Sequence, residues 1–355
     1  MTTFIAEAGV NHNGRDDIAI KLINEAHRIG ADCIKFQTFK SENLATSHAP
    51  MADYQLNNTS HGSQLEMLQK LELSYKTYFK LAAHCKKIGI GFMSTAFDSE
   101  SLKFLVNELK VTKLKIPSGE INNAPFVLEH ARADLDMIVS TGMATLSEIE
   151  SILGVIAFGY TASKNETPSN EKFIKAYSSG VGQEVLQKRV TLLHCTSAYP
   201  APISELNLNA INTLKNTFKI PTGYSDHSLG LEASLAAVTL GASIIEKHIT
   251  LDREFEGPDH KASLEPNEFE QLILKSKNII NALGSGIKSP TFSELRNIYI
   301  ARKSLVAATN IKKGESFNQN NIAIQRPGGG RSPYDFWNLQ STLATKSYTK
   351  GDLIE

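Results

Sequence analysis

Eight times between residues 4 and 250, a short run of apolar, strand-forming residues gives way to a longer stretch of helical periodicity. The short runs are FIAEAG (4–9), CIKFQ (33–37), GIGFMST (89–95), KLKIPSGE (113–120), MIVSTGM (137–143), VTLLHCTS (190–197), IPTGYSDH (220–227) and SIIEKHIT (243–250). Strands that are apolar throughout, rather than alternating, are buried on both faces, and parallel neighbours need a helical crossover between them. Eight such units in roughly 280 residues fit a (β/α)8 TIM barrel, typically ~250 residues with room for insertions. A doubly wound open sheet is the competing architecture. Against a dinucleotide fold, no GxGxxG follows the first strand, and no GxxxxGK[ST] supports a P-loop.

Two stretches depart from the repeat. Residues 38–73 form a polar excursion too long for an ordinary βα connection and read as a candidate lid. Residues 160–182, rich in Ser, Asn, Lys and Gly, read as a surface loop. Beyond the barrel domain (1–284), GSGIKSPTFSE supplies a linker (285–294), and residues 295–355 read as a small β-rich module of short strands and turns. A module this small gains from docking against another surface.

Composition narrows the function classes. With 37 basic and 37 acidic residues the chain is too balanced to bind nucleic acid by bulk charge. No apolar run approaches the ~20 residues of a membrane span, and the start MTTFIAEAGVNHNG has no signal-peptide pattern. A soluble, cytoplasmic protein with small-molecule partners is the expectation. Cys33, Cys85 and Cys195 lack CxxC spacing and read as small buried residues rather than a disulfide framework or zinc site.

In a barrel, function gathers at the C-terminal ends of the strands. The polar residues there are Glu7, Asn11, His12, Lys35, Gln37, Thr95, Lys115, Ser118, Glu120, Ser140, Ser197, Tyr199, Ser225, Asp226, His227, Lys247 and His248. Lysines and hydroxyls aimed at one mouth suit a ligand carrying phosphate or carboxylate, which needs cationic and neutral donors together. His227 and His248, one strand-helix-strand step apart, would hold a divalent metal. His194, inside its strand, reads as a core residue, and His12 as either a mouth residue or a loop brace.

The ordered series EAGVNHNG, IKFQT, KIPSGE, STGM, HCTSAYP, GYSDHS, EKHITLD and GPDHKASLEP resembles the sialic acid synthase family, and the tail with QRPGGG resembles that family's C-terminal antifreeze-like (SAF) domain. The resemblance covers essentially the whole chain. It implies condensation of phosphoenolpyruvate with an open-chain N-acetylated amino sugar, giving a nine-carbon 2-keto acid and phosphate.

The same matching implies a Mn²⁺ or Mg²⁺ ion on His227 and His248, and phosphoenolpyruvate contacts at Lys35, Thr95, Lys115, Ser118, Ser140, Ser197 and Ser225. Glu7 matches a carboxylate beside the reacting carbons, and Gln37, Glu120, Tyr199 and Asp259 match sugar contacts. Arg326 matches an arginine that crosses a domain-swapped homodimer to the sugar's N-acetyl end. Glu120 and Asp259 could equally cap helices or brace loops. N-acetylmannosamine, giving N-acetylneuraminate, is the first expectation for the sugar; the alternative is 2,4-diacetamido-2,4,6-trideoxymannose, giving legionaminate. A non-catalytic sugar-binding barrel and a pyruvate-dependent metal aldolase are the remote readings.

Overall fold

The computed structural model describes residues 2–52, 55, 56, 59 and 63–355. It divides into two compact units, Met1–Gly284 and Ser285–Glu355. In the first, strands β1 (Thr3–Gly9), β2 (Cys33–Thr38), β3 (Gly91–Ala96), β4 (Lys113–Ile116), β5 (Asp136–Ser140), β6 (Val190–Cys195), β7 (Thr222–Asp226) and β8 (Ile244–His248) run in the order β3-β2-β1-β8-β7-β6-β5-β4. Every ladder between them is parallel. β3 and β4 lie side by side and close the ring, so the expected (β/α)8 barrel is the observed one.

Strand alternation sorts the side chains into two cores. Ile5, Cys33, Met93, Ile138, Leu193 and Ile244 meet inside the barrel as an apolar plug. Outward-facing neighbours such as Ala6, Ile34, Val139 and Ile245 join the helices in the larger core. Each fully buried Leu, Ile or Phe in these layers contributes about 1.5–3 kcal/mol. The helices start where local chemistry satisfies their free N–H groups: Thr145 and Glu148 form a capping box before Leu146–Thr161, and Asn123 with Pro125 opens Ala124–Arg132.

Residues 160–182 are not a surface loop. They carry helix Asn170–Ser178 and the start of Gly180–Arg189, with Ser169 and Ser179 accepting the N-terminal hydrogen bonds, and Phe173 packs edge-on against Phe158 at 5.3 Å. The serines read as loop composition are the caps. In the 38–73 excursion the described residues include helices Ser41–Leu44 and Gln64–Leu71; positions 53, 54, 57, 58 and 60–62 lie outside the described residues. Among the described residues no helix is long and apolar enough to cross a membrane. All three cysteines are buried and free.

In the second unit, helix Phe292–Ala301, opened by a Thr291–Glu294 capping box, begins inside the stretch expected to be linker. T-x-x-E was the overlooked start signal. β9 (Ser304–Ala307) and β10 (Ile322–Gln325) pair antiparallel, and isolated bridges tie in Leu353, Tyr348 and Leu343. Leu305, Ile311, Phe317, Ile322 and Tyr348 form a separate small core.

Candidate active site

One step of two residues beyond the apolar plug, the same strands present a polar layer: Glu7 on β1, Lys35 on β2, Thr95 on β3, Ser140 on β5 and Glu246 on β8, with Lys115 and Ser225 from β4 and β7. This layer floors a cavity of about 440 Å³, a size suited to small-molecule ligands. Thirteen of the residues singled out in the sequence line it: Glu7, Lys35, Gln37, Thr95, Lys115, Ser118, Ser140, Ser197, Tyr199, Ser225, His227, His248 and Asp259.

The floor is an ion cluster. Lys35 Nζ lies 2.7 Å from Glu7 Oε2, 3.6 Å from Glu246 Oε2 and 3.2 Å from the Thr95 hydroxyl. Lys115 Nζ lies 3.3 Å from Glu246 Oε1 and donates to Ser140 Oγ at 2.8 Å. Ser225 Oγ donates to Glu246 Oε1 at 2.9 Å. Glu246 sits between both ammonium groups. Burial would raise its pKa, but Lys115 and Lys35 outweigh that and hold it at about 2. Glu7 is pushed the other way, to about 7, because burial outweighs the attraction of Lys35 and the Glu246 charge adds to it. Burial opposes the Lys35 ammonium, yet Glu246 and Glu7 together keep its pKa raised. Lys115 is lowered by burial despite Glu246.

Above the floor stand the two histidines, ring centroids 5.8 Å apart, with the Tyr199 ring 4.2 Å from His227 and 5.9 Å from His248. His227 Nδ1 meets the carbonyl of Thr196 at 2.8 Å, so Nδ1 carries the proton and Nε2 keeps its lone pair. His248 Nδ1 is buried without a hydrogen-bond partner among the described residues, and the Asp259 carboxylate lies 3.8 Å away. Burial holds His227 at about 4 and takes His248 well below its usual value, so both are neutral, and it raises Asp259 to about 6. Two neutral imidazoles beside a carboxylate suit a first-row divalent ion, although no ready-made group of three metal-binding side chains occurs among the described residues. Gly9, at φ 51°, lets the backbone pass this point: a Cβ there would lie 3.2 Å from His248 Cε1 and 3.3 Å from Gln37 Nε2.

At the opposite wall Ser118 Oγ receives the Gly142 N–H at 3.1 Å and meets Cys195 Sγ at 3.0 Å. A Cβ on Gly142 would strike Ser197 and Ser118 Oγ and Cys195 Sγ, so only glycine lets these groups converge.

Some expectations fall outside the cavity. Glu120, on the turn Ser118–Glu120, accepts from Asn123 at 2.6 Å and does not line the cavity, which is the loop-brace alternative. Asp226 and Lys247, expected at the mouth, face outward and pair with each other at 2.8 Å, because they sit one residue out of phase with Ser225 and Glu246. His194 bonds the Leu206 carbonyl at 2.7 Å and is half-buried rather than a full core residue. His12 is buried and accepts from Gly14 N at 3.1 Å, the loop-brace role. Arg326 belongs to the second unit, where its Nε donates to the Ala301 carbonyl at 2.9 Å. Glu246 was missed. Its signal was parity: in SIIEKHIT it precedes His248 by two residues and shares its face.

The sequence pattern of the NeuB family matches residues 22–288. An N,N'-diacetyllegionaminic acid synthase of Campylobacter jejuni is 47% identical over 354 residues, covering 99% of this chain and 98% of that protein. A second, from Legionella pneumophila, is 39% identical over 356 residues, covering 100% of this chain and 94% of its own. The crystal structure of an N-acetylneuraminic acid (sialic acid) synthetase from Leptospira borgpetersenii in complex with citrate superimposes with a TM-score of 0.67 at 34% identity, over 84% of this chain and 90% of that one.

Proposed function

The chain belongs to the NeuB family, and from that premise we propose that it is a sugar-acid synthase condensing phosphoenolpyruvate with an open-chain N-acetylated amino sugar. The sugar favoured is 2,4-diacetamido-2,4,6-trideoxymannose rather than N-acetylmannosamine, because the relatives at 47% and 39% identity described above are N,N'-diacetyllegionaminic acid synthases. The first expectation for the substrate thus yields to the alternative. The observation that carries the reading is the buried cluster of Lys35, Lys115, Glu7 and Glu246 beneath two neutral histidines.

Lys35 and Lys115, with the hydroxyls of Thr95, Ser118, Ser140, Ser197 and Ser225, hold the phosphate and carboxylate of phosphoenolpyruvate. Gln37, Tyr199 and Asp259 bind the sugar. The enol carbon attacks the aldehyde carbon; water then adds at C2, the carbon–oxygen bond to phosphate breaks, and phosphate leaves a nine-carbon 2-keto acid. When bound at His227 and His248, Mn²⁺ or Mg²⁺ would supply Lewis-acid polarisation of the aldehyde. Glu7 titrates near neutrality, so it can hold a proton for the aldehyde oxygen as that oxygen becomes an alkoxide, and then orient the water. The second unit, an antifreeze-like domain on this reading, brings Arg326 to the N-acetyl end in the partner of a domain-swapped homodimer; its planar fork of donors suits an amide carbonyl. Phosphoenolpyruvate is an intracellular metabolite, so the work belongs in the cytoplasm.

The test is phosphate release from phosphoenolpyruvate that requires both the amino sugar and a divalent metal. Sugar-independent release refutes the reading, absence of any release favours the non-catalytic barrel, and turnover of pyruvate in place of phosphoenolpyruvate favours the aldolase. Arg326→Ala in the full chain should lower kcat/KM for the sugar by about 10–100-fold, the cost of truncating a buried anchor.

A further inference from the structure

Each of the two histidines directly follows a charged residue that faces the other side of the barrel wall: Asp226 precedes His227, and Lys247 precedes His248. Asp226 and Lys247 are partners in the last rung of the β7–β8 ladder, and both side chains are fully buried. From β8, Lys247 Nζ reaches the Asp226 carboxylate at 2.8 Å and the carbonyl of Ser228 at 2.7 Å. It therefore holds the chain on both sides of His227. Asp226 closes the same turn from within, its Oδ1 accepting from the Ser228 N–H at 2.9 Å. His227 lies just past β7, so its place depends on this turn and on the Ala201 N–H bonded to its carbonyl at 2.9 Å. His248 ends β8 and is paired in register with Glu7 on β1.

We propose that the pair of Asp226 and Lys247 positions the two histidines: it sets the separation and aim of their rings, and so the affinity of the site for a divalent cation. The inference rests on the reading that His227 and His248 hold such an ion. A cation shared by two imidazoles needs both lone pairs directed at one point, so a small displacement of either ring is lost from binding. The ring centroids stand 5.8 Å apart on two different strands. Their separation is thus a property of the contact between those strands, which is where Lys247 acts. A pair that only offset the burial of its own charges would need no bond to the main chain beyond His227, yet Lys247 makes one at Ser228. The Ser234 hydroxyl, from helix Glu232–Thr239, donates to Asp226 Oδ2 at 2.5 Å and supports the same carboxylate without joining β7 to β8.

The experiment titrates Mn²⁺ alone into the full-length protein and reads the free ion by electron paramagnetic resonance, beside denaturant unfolding of each variant. Lys247→Met should raise the Kd for Mn²⁺ by about tenfold or more, the scale of removing a group that orients a metal ligand. Asp226 keeps the Ser228 N–H and the Ser228 and Ser234 hydroxyls in that variant. If Lys247→Met does not fold, the double variant Asp226→Asn, Lys247→Met, which buries neither charge, gives the same measurement. Ser234→Ala weakens the support of the same carboxylate but leaves the link between strands; it should lose stability and bind Mn²⁺ as tightly as the wild type. Unchanged Mn²⁺ affinity in the folded Lys247 variants, or an equal weakening in Ser234→Ala, overturns the inference. Absence of Mn²⁺ binding by the wild type, or unimpaired binding by His248→Ala, is a different result: it refutes the metal reading itself, and the inference with it.

Discussion

Near the ends of strands β7 and β8, adjacent polar residues go to opposite sides of the barrel wall. Ser225 and Glu246 face in; Asp226 and Lys247 face out. The outer pair is fully buried, with Lys247 Nζ 2.8 Å from Asp226 Oδ2 and donating to the Ser228 carbonyl at 2.7 Å. Asp226 also accepts from Ser228 N at 2.9 Å and from the Ser228 and Ser234 hydroxyls at 2.6 and 2.5 Å. Burial acts against both charges, but Lys247 and the hydroxyls still hold the Asp226 carboxyl below its usual range, while Lys247 itself is lowered. The inner cluster is as deeply buried, yet Glu246 Oε2 accepts no hydrogen bond among the described residues, and Glu7 Oε2 has the Lys35 ammonium at 2.7 Å and no further donor among them. Equal burial with unequal satisfaction separates a pair that braces the wall from a set left incomplete for a ligand.

The largest effect expected from that difference is on chemistry. Lys115→Met should lower kcat/KM for phosphoenolpyruvate by about 10³-fold, the scale of losing a charged donor to a developing anion. Glu246 would keep Lys35 as a cation at 3.6 Å, so the loss of stability should be smaller than that of breaking a buried pair with no second partner. Steady-state kinetics beside calorimetry decides; a large loss of stability would put Lys115 in the bracing class. Next in size, Asp226→Asn should cost about 3 kcal/mol of stability by leaving Lys247 buried and unpaired, read by denaturant unfolding. Its kcat/KM, measured well below the melting range, should fall by less than that of Lys115→Met. The reverse ranking would undo the distinction between the two faces.

The inward set was legible because two periodicities coincide. The βα repeat locates strand ends, and residues at Glu7, Lys35, Thr95 and Ser140 are the polar ones there. Parity accounts for the misplacements: nearness to a strand end points Asp226 and Lys247 to the mouth, whereas a shift of one residue turns them outward and turns Glu246, beside His248, inward. Composition points to loop at 160–182 and at Phe292, where Ser169, Ser179 and Thr291 are helix caps. That Leu68 and Met67 line the cavity was not legible, since they look like ordinary core positions of a short helix until the barrel mouth is assembled beneath them.

An unsatisfied buried group is not by itself a site, and His130 sharpens that limit. It lies on helix Ala124–Arg132, does not line the cavity, and bonds the Phe126 carbonyl through Nδ1 at 2.9 Å, while its buried Nε2 has no partner among the described residues. Burial lowers its pKa from 6.5 to about 4. The unfolded chain therefore binds a proton between those values that the folded chain does not, and stability falls as pH drops through this window, then levels off below it. At about pH 5 the cost is about 2 kcal/mol, from a shift worth ~1.4 kcal/mol per unit. His130→Phe, which keeps the 4.5 Å edge-on ring contact with Phe126, should remove that increment of acid sensitivity and leave kcat/KM unchanged. Unfolding curves at about pH 7 and about pH 5 read it directly. A change in turnover would mean that an orphaned polar atom marks function wherever it lies; the expected silence would mean that convergence on one cavity is the stronger sign.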